Sequence, residues 1–227
     1  MKYEIMGSPF PVVTCNLSAG ESVVCQKGAM TWMTDNMTME TGTGGGLGKI
    51  FSKALSGESI FQNTYTALGT PGTIAFGTNL PGSILSFQIS GGRSIIAQKS
   101  AFLASEPSVN FEIFFQKKFA SGFFGGEGFI MQRFTGDGIL FVEIDGSVIE
   151  KDLAPGETLL IDTGYLAAME TTVSINIESV KGIGNALFGG EGLFNTKVMG
   201  PGRIWLQTMP ISHFAGSLSH YIPSAKR

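Results

Sequence analysis

Two short phrases each occur three times along this chain, in the same order. One reads Gly20-Glu21-Ser22-Val23-Val24, Gly92-Arg93-Ser94-Ile95-Ile96 and Gly156-Glu157-Thr158-Leu159-Leu160. The other reads Gly57-Glu58-Ser59-Ile60-Phe61, Gly126-Glu127-Gly128-Phe129-Ile130 and Gly190-Glu191-Gly192-Leu193-Phe194. Their spacings are 72 and 64 residues for the first phrase and 69 and 64 for the second. Regular self-similarity dictates architecture, because each repeat is a unit that cannot bury its apolar face alone. A unit of about 65 residues would bury too little surface to stand by itself. The repeats therefore predict one domain of three modules, at about residues 12–84, 85–150 and 151–210, with a short tail at 211–227.

Each module reads as a series of short strands. Ser22 to Gln26 and Thr158 to Asp162 follow the first glycine turn, and Lys27-Gly28-Ala29-Met30, Lys99-Ser100-Ala101-Phe102 and Thr163-Gly164-Tyr165-Leu166 hold equivalent places. Alternation at Met37/Met39, at Val109/Phe111/Ile113/Phe115 and at Val173/Ile175/Ile177 marks half-buried strands. A further strand pair in each module is expected to close on a glycine turn, at Gly69-Thr70-Pro71-Gly72, Gly136-Asp137-Gly138 and Gly200-Pro201-Gly202. Asp145-Gly146 between apolar runs predicts a two-residue hairpin. The one helical candidate is Leu47 to Leu55. The fold class predicted is all-β, with three pseudo-equivalent modules.

Composition supports this and narrows the function. Charged residues make up 15% and glycines number 32, which is little charge and about twice the usual glycine. That balance suits short strands with tight turns, and apolar surface shared between subunits. A net charge of -3 gives no electrostatic reason to expect nucleic acid or an anionic membrane. The uncharged stretch from Ser59 to Gly92 carries prolines, glycines and amides, so it is not a membrane span. The chain begins with no apolar signal-like run, and Cys15 and Cys25 are expected to be reduced thiols in a cytoplasmic protein.

Catalytic and metal chemistry find little footing. Gly42-Thr43-Gly44-Gly45-Gly46-Leu47-Gly48-Lys49-Ile50 misses the phosphate-loop pattern at Thr43 and at Ile50. His213 and His220 are the only histidines, a poor ligand set for zinc or iron. No serine or cysteine nucleophile has a marked base. No metal, no cofactor and no enzymatic activity are expected. Gly57 and Glu58, Gly126 and Glu127, and Gly190 and Glu191 read as repeated structural turns, each carboxylate accepting backbone amides. Lys117-Lys118-Phe119 and Arg133-Phe134 are too few basic-aromatic pairs for an RNA rim.

The two phrases, each second one preceded by a glycine-rich apolar segment, together resemble the bacterial domain family related to the mitochondrial-biogenesis, or altered-inheritance-of-mitochondria, proteins. The likeness spans about residues 3 to 210. It implies a triplicated fold of the double-stranded β-helix class, likened to the tryptophan RNA-binding attenuation protein. It also implies a homotrimer, in which three modules in each of three chains would make a nine-unit ring.

The apolar segments are the sharpest clue to interaction. Ile50, Phe51 and Leu55 stand before the first Gly-Glu, Phe119, Phe123 and Phe124 before the second, and Ile183, Leu187 and Phe188 before the third. Loop ends are ordinarily polar, because water must satisfy them. These segments are predicted to pack on their own module or a neighbouring subunit, or to meet a membrane or a protein partner. The expectation is a non-enzymatic oligomeric scaffold. The alternatives are a peripheral membrane protein using those segments, or a small-ligand binder with pockets between modules.

Overall fold

The computed structural model describes residues 1–42, 62–117, 128–179, 194–219 and 221. An N-terminal strand, β1 (Lys2–Met6), precedes three sets of six strands. The first set is β2 (Val12–Leu17), β3 (Ser22–Gln26), β4 (Met30–Met33), β5 (Met37–Gly42), β6 (Gln62–Ala67) and β7 (Gly72–Gly77). The second is β8 (Gly82–Ile89), β9 (Ile95–Gln98), β10 (Phe102–Ser105), β11 (Val109–Lys117), β12 (Phe129–Gly136) and β13 (Gly138–Asp145). The third is β14 (Val148–Leu153), β15 (Thr158–Asp162), β16 (Leu166–Glu170), β17 (Ser174–Ser179), β18 (Phe194–Met199) and β19 (Gly202–Gln207), and a helix, α1 (Ile211–Ser219), follows. The protein is all-β, as the alternating patterns and glycine turns predict.

The strands form antiparallel sheets in the orders β1-β2-β7-β4, β5-β6-β3-β10-β13-β8, β11-β12-β9-β16-β19-β14 and β15-β18-β17. One rule generates all four. Within a set, the first, sixth and third strands pair in that order, and so do the fourth, fifth and second. The second strand of one set then pairs with the third strand of the next, as β3 with β10 and β9 with β16. This repetition of pairing is compatible with three modules.

Packing divides the chain differently, into two compact units whose boundary runs through the second set. One unit holds the first two sheets around Leu17, Val23, Tyr65, Ile74, Phe76, Leu103 and Phe141. The other holds the last two sheets around Ile96, Phe129, Met131, Leu166, Met169, Val198 and Ile204. Each buried side chain of this kind contributes about 1.5–3 kcal/mol.

Two turn predictions need correction. The glycine turns after β6, β12 and β18 are present, but they do not close strand pairs. β7 already lies between β2 and β4, and β6 between β5 and β3, so neither has an edge for the other. The turn instead carries the chain from one sheet to the next. Gly136 shows why glycine is needed there: its φ is +110°, and a Cβ would collide with the carbonyl oxygen of Ser108. Asp145-Gly146 is likewise a turn between sheets, with β13 beside β8 and β14 beside β19. The Ser147 amide donates to Thr208 Oγ1 at 2.8 Å, which draws β14 away from β13.

The carboxylate turn expected at Glu58, Glu127 and Glu191 falls, with those residues, outside the described chain. The same chemistry occurs at the first phrase. Glu21 Oε2 accepts the Ser18 amide and Glu157 Oε2 the Ala154 amide, each at 2.8 Å. The Ser18 amide, aided by the Met1 ammonium 3.0 Å away, holds the Glu21 carboxyl below its usual pKa.

Cys15 and Cys25 are fully buried free thiols, and burial pushes both pKa values up to about 12. Only the thiolate reacts readily. Native protein at pH 8 should therefore leave an aromatic disulfide reagent uncoloured, and denaturant should release two equivalents of thiol. Rapid colour from native protein would show that this core is misassigned.

Candidate interaction surface

The expected interaction residues cannot be placed. Ile50, Phe51, Leu55, Phe119, Phe123, Phe124, Ile183, Leu187 and Phe188 all lie outside the described residues, as do Gly57, Gly126 and Gly190 with their glutamates. In sequence these segments join the fourth and fifth strands of each set. The helical candidate Leu47–Leu55 and all but Gly42 of the glycine run lie there too. What the structure does bring into view is a pair of strands whose sequences gave no warning.

The junction between consecutive sets has fixed geometry. Ala104 of β10 stands opposite Cys25 of β3, with Ser105 opposite Val24. Ala168 of β16 stands opposite Ala97 of β9, with Met169 opposite Ile96 and Glu170 opposite Ile95. On its other edge, each third strand pairs with a sixth strand through the same one-residue bulge. It falls between Phe102 and Ala104, between Leu166 and Ala168, and between Met30 and Trp32. A bulge repeated at one place is a built feature of the strand. It aligns Trp32 with Ala104 and Ala168, and Met33 with Ser105 and Met169. The fifth-strand partners similarly align Leu160 and Ile161 of β15 with Ile96 and Ala97 of β9, and with Val24 and Cys25 of β3.

A side-chain bridge locks each junction. Gln26 at the end of β3 donates Nε2–H to Glu143 Oε1 at 2.7 Å. In the next junction, Gln207 donates Nε2–H to Gln98 Oε1 at 3.4 Å and to the Gly164 carbonyl at 2.8 Å. Glu143 and Gln207 hold the same place on their sixth strands, one residue beyond Val142 and Leu206.

Four of the six second and third strands are used in these two junctions. The other two, β4 and β15, have one strand partner each among the described residues, β7 and β18. Of the other outermost strands, β5, β11 and β17 are outermost in every set, and β8 and β14 differ from their equivalent β2 only in that the added N-terminal strand β1 covers β2. Among the described residues, β15 of the second strands and β4 of the third strands lack the junction partner their equivalents possess. Their side chains record the loss. Ala104, Ala168, Met169 and Ile96 are 0% exposed, whereas Trp32 is 46%, Met33 37% and Leu160 59% exposed. Large apolar side chains on an unpaired edge are a template for another strand.

Other sequence candidates are structurally occupied. Arg133 lies 3.5 Å from Glu112 and 4.8 Å above the Phe114 ring. His213 Nδ1 and Tyr165 Oη are hydrogen-bonded at 2.5 Å, while His220 lies outside the described residues. Among the described residues no three His, Cys, Asp or Glu side chains gather to hold a metal, and no helix is long and apolar enough to cross a membrane.

The architecture defines a class: all-β proteins built from a repeated antiparallel strand pattern. Within that class, the chain belongs to the mitochondrial biogenesis AIM24 family, whose pattern it matches over residues 3–209. It is similar to an uncharacterised protein of Streptococcus pyogenes serotype M6, at 33% identity over 224 residues, covering 95% of this chain and 88% of that protein. The crystal structure of a Streptococcus pyogenes protein superimposes with a TM-score of 0.79 at 28% identity, covering 97% of this chain and 99% of that one.

The junction bridges should carry measurable stability. Glu143→Leu leaves Gln26 and the Asn79 amide without this acceptor, so denaturant unfolding should show a loss of about 1–3 kcal/mol. Glu143→Gln, which keeps an acceptor, should lose less. Equal and negligible losses would show that the bridge does not hold the junction.

Proposed function

We propose that this protein is a non-enzymatic scaffold that assembles from copies of itself through β4 and β15. β15 of one copy runs antiparallel to β4 of the next, with Ile161 opposite Trp32 and Leu160 opposite Met33. The pairing continues the junction geometry already used twice within the chain. The observation that carries it is the exposure of Trp32, Met33 and Leu160 at positions whose equivalents within the chain are buried, or half-buried in the case of Val24.

The contact joins two different surfaces, so it propagates in one direction and closes into a ring or runs on as a filament. The family resemblance favours three copies, giving nine modules in a closed ring. Closure gives β4 and β15 the partners that their equivalents have within the chain, and covering an exposed apolar edge is a usual protection of a β protein against aggregation. Two free, buried thiols suit the reducing cytoplasm. The scaffold reading requires no metal or cofactor.

Sedimentation should find a species near three times 24.1 kDa at micromolar concentration. Leu160→Asp would bury an unpaired charge against Met33, so it should weaken assembly by about 100-fold or more without altering the β circular dichroism. A wild-type monomer, or a Leu160→Asp protein that assembles normally, would overturn the proposal.

A further inference from the structure

The two junctions inside the chain share one more contact. The segment leaving the sixth strand of one set touches the sixth strand of the next. Asn79, two residues beyond Gly77, donates its amide to Glu143 Oε2 at 3.4 Å. Asp145, two residues beyond Glu143, donates its amide to Gln207 Oε1 at 3.2 Å. In the third set the corresponding segment, beginning at Thr208, enters α1.

That helix is attached by its N-terminal end. Ile211 donates its amide to Asp145 Oδ2 at 2.9 Å, the Met209 amide donates to the Asp145 carbonyl at 3.1 Å, and His213 meets the Tyr165 hydroxyl. Its apolar residues Ile211, Phe214 and Leu218, spaced i, i+3 and i+7, are all exposed. A helix on a soluble domain normally turns such a stripe inward. Here the stripe is left exposed, and none of the nine residues is an acid, a lysine or an arginine.

The first set offers the matching place. Gly77 stands where Glu143 and Gln207 stand in their sets. A Cβ on Gly77 would come within 2.8 Å of Thr31 Oγ1, so this position is built without the side chain that forms the polar bridge at the other two junctions. Gly77 is paired with Val12, the Thr78 amide bonds the Pro11 carbonyl, and the nearby Phe10 is 58% exposed. A junction that cannot be bridged by amides here has apolar surface available on both sides.

We propose that α1 of one copy lies against the Phe10–Gly77 corner of the next copy, packing Phe214 and Leu218 on Phe10. The occupant of the helix face is thus a second copy of this chain. The inference rests on the β15–β4 pairing reading. It adds that the contact between copies is a strand pair fastened by a helix, where contacts within the chain use an amide bridge.

Two measurements on the full chain test it. Phe214→Ser with Leu218→Ser should leave the β circular dichroism intact and raise the subunit dissociation midpoint at least about tenfold, the effect of losing one interface anchor. Separately, Phe10→Cys and Phe214→Cys proteins, mixed and treated with a short bismaleimide, should give a covalent heterodimer, since Cys15 and Cys25 are buried. An unchanged midpoint together with no heterodimer would overturn the helix contact. If Leu160→Asp still dissociates the assembly in that case, the strand pairing stands alone. A wild-type monomer would end both. Loss of liposome pelleting in the double variant, with self-association unchanged, would assign the stripe to lipid and also overturn the proposal.

Discussion

The backbone hydrogen bonds across each second-to-third strand junction are the interaction on which this architecture depends. A strand carries donors and acceptors on both edges, and an edge left open either meets water or recruits another strand. By pairing β3 with β10 and β9 with β16, the chain turns what would be small separate sheets into two of six strands. The junction also brings together side chains from different sets. Leu103, Ala104 and Phe141 of the second set share a core with Val23 and Cys25 of the first. A pattern that satisfies edges by pairing each set with the next necessarily leaves one strand open at each end. Those strands are β4 and β15, and the large exposed side chains there follow from that arithmetic.

Residue choice agrees with position. Inside the chain, the third strand carries Ala104 and Ala168 directly opposite Cys25 and Ala97, where neighbouring strands and the core leave little room. The equivalent on the open strand is Trp32. A small residue would suffice for an edge that remained in water, whereas tryptophan contributes a large contact area and is common at the centre of protein interfaces. The sixth strands differ in the same sense. Glu143 and Gln207 are buried and bridged, while the equivalent Gly77 has no side chain to offer.

Much of this fold was legible because β signals are local. The glycine phrases delimited Ser22–Gln26 and Thr158–Asp162 with the bounds that β3 and β15 have, and alternation marked β11 and β17. Pairing was not legible, because it depends on contacts distant in sequence. Asp145-Gly146 has the composition of a hairpin turn, yet β14 finds its partner in β19, whose paired residues lie 49 to 59 positions further along the chain. β1 was missed although Lys2-Tyr3-Glu4-Ile5 alternates, because so short an alternation with no buried residue differs little from an exposed segment. α1 left a readable sign, since Ile211, Phe214 and Leu218 follow Pro210 at helical spacing. That stripe is short and was hidden among tail residues. The open edges left no local sign at all: Trp32 and Leu160 look like ordinary strand residues until they are set beside Ala104, Ala168 and Ile96, which are buried.

Amide hydrogen exchange of the wild-type protein, at a concentration where self-association is complete, tests pairing between copies most directly. If β15 and β4 meet, the outward amides of Met33 and Leu160 will be protected to the degree found for β9 and β16, and that protection will vanish on dilution to monomer. If those amides exchange at the rate of an open strand while the assembly is intact, the edges face solvent and the copies are held together elsewhere.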